Sequence, residues 1–67
     1  MNNETIGTAA GLIWNAIAEG ELGTKQIKKA TKLKDKELYA ALGWLAREGK
    51  VNFAETEDGK ELLVSLA

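Results

Sequence analysis

The chain contains no cysteine and no histidine. Those two absences remove disulfides, thiolate nucleophiles, imidazole bases and the ordinary zinc ligand sets. A long apolar run is also missing. The apolar stretch that follows Met1-Asn2-Asn3-Glu4 is broken by Thr8, Asn15 and Glu19, short of a membrane span, and the start lacks the basic character of a signal peptide. The expectation is a cytoplasmic protein with no membrane partner. No glycine-rich phosphate loop is present, and the ten carboxylates are spread along the chain with no histidine or cysteine to work beside them. The expectation is therefore no enzyme, no metal, no cofactor and no evident small-molecule ligand.

What is present suits a folded core. Hydrophobic residues make up 45% of the chain and charged residues 28%, proportions of a globular protein rather than of a disordered tail. At 67 residues there is room for a single domain, residues 1–67. A chain this short buries only about 60% of the surface that its unfolded form exposes. With disulfides and zinc excluded, a partner subunit is the external support that remains.

Apolar spacing lays out the elements. Ile6, Ala9, Ala10, Ile13, Ala16 and Ile17 fall on one side of a helix predicted over residues 4–19 and closed by Gly20. Leu12 and Trp14 widen that apolar stripe beyond the needs of one small core, so part of the helix is expected to face a second subunit. Leu22 anchors a short connector, Glu21 to Gly23, compatible with a brief strand. Thr24 is expected to cap a second helix, Lys25 to Thr31, with Ile27 and Ala30 inward. Lys32-Leu33-Lys34 forms a turn. A third helix starts near Asp35, either with Asp35 as its cap or with Lys34 in that place and Glu37 reaching back. It runs to about Glu48 with Leu38, Ala41, Leu42 and Leu45 inward, and Gly49 ends it. The period then becomes alternating: Val51 and Phe53 share one face, Leu62, Val64 and Leu66 another, and Asp58-Gly59 marks the hairpin turn between them.

This order of helix, short strand, helix, turn, helix and hairpin is mostly helical α+β. The segment Thr24-Lys25-Gln26-Ile27-Lys28-Lys29-Ala30, with Leu33, Leu38, Leu42, Leu45 and Gly49-Lys50-Val51 after it, resembles the helix-turn-helix pattern of bacterial transcription regulators. The run Ala41-Leu42-Gly43-Trp44-Leu45-Ala46-Arg47-Glu48-Gly49-Lys50-Val51 is similar to a signature of short, stand-alone bacterial winged helix-turn-helix proteins of uncharacterised function. The resemblance spans nearly the whole chain. It implies three helices followed by a C-terminal β-hairpin wing, and a DNA-binding role.

Charge is distributed unevenly beneath a net value of -1. Residues 25–36 hold Lys25, Lys28, Lys29, Lys32, Lys34 and Lys36 against one acid, Asp35, a net of +5, so the remainder of the chain carries -6. In a helix-turn-helix this stretch meets phosphates. On the third helix Lys36, Ala40, Gly43 and Arg47 point away from the core, with Tyr39 on one border and Glu37 and Trp44 on the other. That strip has no Asn or Gln to pair with adenine; Lys36 and Arg47 are its guanine-directed donors. The wing tip offers Glu55, Glu57 and Asp58, with Lys60 as the one base beside them.

Two functions follow as expectations. In the first, a homodimeric regulator grips DNA phosphates through the six lysines while Tyr39 and Arg47 approach the groove. In the second, the fold is a protein-interaction or dimerisation module using Leu12, Ala40, Gly43 and Trp44, the small pair admitting another backbone. Trp44 also has a purely structural place: one residue before Leu45, it is expected to tuck beneath the hairpin.

Overall fold

A computed structural model describes residues 1–67. Helix α1 spans Asn3–Ala16. Its first turn is closed by a reciprocal pair: Asn2 Oδ1 accepts from the Thr5 amide at 2.9 Å, and Thr5 Oγ1 accepts from the Asn2 amide at 2.8 Å. The helix ends earlier than its apolar period predicts. After Ile17 the backbone bonds shorten to three-residue steps, Ala18 to Asn15 and Gly20 to Ile17, so residues 17–20 are turns rather than helix. Ile17 is nonetheless buried.

Strand β1 is the pair Leu22–Gly23, and α2 follows at once over Thr24–Thr31. Helix α3 covers Asp35–Arg47, and strands β2, Val51–Glu55, and β3, Leu62–Leu66, form the hairpin. The sheet is antiparallel in the order β1-β3-β2. Leu22 and Phe53 both register on Val64, which makes one row across its inner face. The turn is closed by Gly59, whose φ of 69° lies in the left-handed region that the Asp-Gly pattern requires.

The core is built where α1 crosses α3. Ala9 and Ala10 on one helix and Ala41 on the other are small and buried, which lets the two axes close. Ile13, Ile17, Ile27, Leu38 and Val64 fill the interior, so every element beyond the two-residue β1 and the edge strand contributes a fully buried side chain or its cap. Leu22, Leu33 and Leu66 pack around it, half-buried.

Three expected core positions stand outside. Ala30 is exposed because the eight-residue α2 turns a single apolar face, centred on Ile27, toward the interior. Phe53 is 42% exposed: β2 is an edge strand, and Val64 flanks Phe53 on one side only. Trp44 is 47% exposed and does not lie beneath the hairpin. Its neighbours Leu45 and Val51 are buried instead, and the indole stands outside the α3 core face. No helix is long and apolar enough to cross a membrane.

Candidate nucleic-acid interface

The helix-turn-helix is α2, the turn Lys32-Leu33-Lys34, and α3. Its amino end is not closed by Thr24, which lies inside α2 and is buried; Gly23 is the cap position. Two other side chains do the capping. Gln26 Oε1 accepts from the Gly23 amide at 2.9 Å, and Glu61 Oε1 accepts from the Lys25 amide at 2.9 Å. Glu61 is the residue just before β3, brought there by the pairing of Gly23 with Leu63. A β-carbon on Gly23 would collide with the Glu61 carboxylate, so glycine is what admits this contact. The anion-attracting amide end of α2 is thus filled by an internal carboxylate. Local sequence gives a signal for Gln26, three residues after its cap, but none for Glu61, which lies 36 residues away.

At the other end of α2 the chain turns through Lys32, with φ 60° and ψ 21°. Lys32 is the one residue other than glycine with positive φ. Left-handed backbone costs an L-residue about 1–2 kcal/mol, which is why glycine commonly stands after a helix. Helix α3 then opens on the second of its two predicted arrangements. Lys34 is the cap position and Glu37 Oε1 accepts from its amide at 2.9 Å. Glu37, half-buried in this bond, is thereby tied to the helix start and withdrawn from the outer strip.

All six lysines are exposed, but their charges are not equally free. Lys28 Nζ lies 2.6 Å from Asp35 Oδ1, the chain's one salt bridge, and joins α2 to the first turn of α3. The hydrogen bond and charge of Asp35 raise the Lys28 pKa above its ordinary value. The Thr56 hydroxyl and the Lys60 amide that donate to Asp58 lower its pKa, and the charge of Lys25 adds the smallest part of that effect. Lys29, Lys32, Lys34 and Lys36 make no ion pair and present the unbalanced charge of the motif.

On α3, Tyr39 is 52% exposed and Arg47 is exposed, with half-buried Ala40 and exposed Gly43 between them. The strip is flat and carries two cations. Leu12 is exposed on α1, yet it does not join Ala40 and Gly43 in any concavity. Of the four residues expected at a protein interface, Trp44 alone lines a groove, and its neighbours there are Trp14 and Lys50. Trp14 is, with Leu12, a residue expected to widen the apolar face of α1 toward a second subunit, whereas Lys50 has no signal in the sequence. The wing tip exposes Glu55, Glu57 and Asp58, as its composition indicated.

The model of the winged helix-turn-helix domain family (DUF2582) matches residues 1–66. The chain belongs to that family. Its fold is also similar to two solved structures. The PcaV transcriptional regulator from Streptomyces coelicolor, solved in complex with its natural ligand, superposes with a TM-score of 0.75 at 18% identity, over 98% of this chain and 48% of PcaV. Reduced HlyU from Vibrio cholerae superposes with a TM-score of 0.66 at 21% identity, over 96% of this chain and 78% of HlyU. At such identities the likeness is one of fold. The chain spans about half the length of PcaV. No curated protein matches it in sequence.

Proposed function

We propose that this winged-helix domain binds duplex DNA through its helix-turn-helix and serves as a regulator of transcription. The lysines of α2, the turn and the start of α3 grip phosphate, and α3 lies along the major groove with Tyr39 and Arg47 approaching it. Lys32 carries this reading. It is exposed, makes no ion pair and occupies a left-handed position where glycine would be less strained. Strain of this kind persists only where the surrounding structure imposes it, and it clusters at functional sites. A cation at the turn meets the phosphate backbone beside the groove that α3 enters. The similarity to PcaV, a transcriptional regulator, supports the same role.

Affinity in this account comes from charge rather than from base edges. Glu61 occupies the amide end of α2, so phosphate is held by side-chain cations and not by that helix terminus. The strip between Lys36 and Arg47 holds no Asn or Gln, and the wing tip repels phosphate. Binding is therefore expected to vary little with DNA sequence.

The test is a triple reversal, Lys29→Glu, Lys32→Glu and Lys36→Glu, which leaves the Lys28–Asp35 bridge in place. Circular dichroism is expected to show a folded domain, and duplex binding at low salt is expected to be lost. Unchanged affinity in the folded variant would show that these lysines are merely a solvated face.

A further inference from the structure

A groove of about 350 Å³ separates α1 from the carboxyl-terminal half of α3. Gly7, Gly11, Trp14 and Asn15 line it from α1, Trp44 from α3, and Lys50 from the residue that precedes β2. Trp14 is 44% exposed and Trp44 47%, although indoles are among the most strongly buried side chains on average. Lys50 brings the one charge in this lining and has no ion pair within the chain. Gly7 and Gly11 each cost about 1 kcal/mol relative to alanine inside a helix. A β-carbon at either would meet nothing within 4 Å, so no contact in the chain accounts for them.

The geometry points to a second copy of this chain as the occupant, with α1 packed antiparallel on its counterpart about a two-fold axis. At roughly 100° per residue, Glu4, Gly7, Gly11 and Trp14 fall on one strip about 80° wide. An axis crossing α1 midway between Gly7 and Gly11 sets Gly7 of one copy against the partner's Gly11. The same axis brings Glu4 level with the partner's Trp14, which shares the groove with Lys50. Glu4 also lacks an ion pair in its own chain. Each copy then supplies the acid for the other's base, twice over, as a self-complementary interface requires.

Glu4, three residues before Gly7 on the same strip, supplies in a second copy the acid that complements Lys50. The two indoles leave about 200 Å² exposed between them, roughly a quarter of the ~800 Å² that each partner gives to a standard interface. Paired glycines let the helices close until the flanking side chains supply more. The lysines of α2 and its turn take no part in the groove, so the assembly leaves that face open.

Sedimentation equilibrium on the full chain tests this with four variants, circular dichroism serving as the check on folding. The wild-type chain is expected to be a dimer. Glu4→Lys and Lys50→Glu should each weaken it by about tenfold or more, since each places like charges together at two symmetric points, and the double swap should restore it. Gly11→Arg should give a folded monomer. A wild-type chain that stays monomeric overturns the proposal. So does a dimer indifferent to Gly11→Arg, or a double swap no tighter than the single reversals.

Discussion

At the scale of single residues, backbone strain and capping chemistry make opposite demands. Lys32 holds a left-handed turn that glycine adopts without a steric penalty. Lys32→Gly is therefore expected to stabilise the domain by about 0.5–1 kcal/mol, after allowing for the greater flexibility of glycine in the unfolded chain. Thermal unfolding should show the gain as a rise of several degrees, at roughly 4–8 °C per kcal/mol for a domain of this size. The same variant should bind DNA more weakly. A variant that is both more stable and equally tight would remove the functional reason for lysine at the turn. Glu61 makes the contrasting case, because its carboxylate caps α2 across the sheet. Glu61→Ala is expected to cost about 1 kcal/mol, the usual value of a lost cap. Chemical denaturation checks it, and an unchanged midpoint would mean that water replaces the carboxylate without loss.

At the scale of elements, periodicity revealed nearly all of the architecture. The inward faces of α1 and α3 and the Asp-Gly hairpin follow from spacing alone, because local geometry decides which residues share a side. What spacing could not show is how far each face is covered. Ala30 and Phe53 occupy apolar positions on elements too short or too peripheral for the core to reach them, and Trp44 stands one residue off the core face of α3. Thr24 has the composition of a cap, but the chain is already helical at that residue, and the anion that completes the amino end arrives from β3. Such a contact depends on strand register, which becomes defined only when the sheet forms. The cation-rich helix-turn-helix was legible as a charge cluster in the sequence. The pairing of Lys28 with Asp35, the approach of Lys25 to the acidic wing and the groove between Trp14 and Trp44 required the fold.

At the scale of the whole molecule, two surfaces divide the work. One face concentrates the cations of a chain whose net charge is -1, and another leaves two half-exposed indoles in one groove. A dimer joined through the groove would leave the lysine face of each copy open and add the stability that a small core lacks. DNA binding remains the central claim, and ionic strength separates it most directly from a face that is cationic for solubility alone. Each phosphate neutralised contributes a slope of about -0.9 to the logarithm of the association constant against the logarithm of salt concentration. Titration of the wild-type domain with mixed-sequence duplex across a salt series is expected to give a steep slope, about -3 to -4 if Lys29, Lys32, Lys34 and Lys36 engage phosphate. A folded domain that shows no binding to duplex at low salt, or an affinity independent of salt, would contradict it.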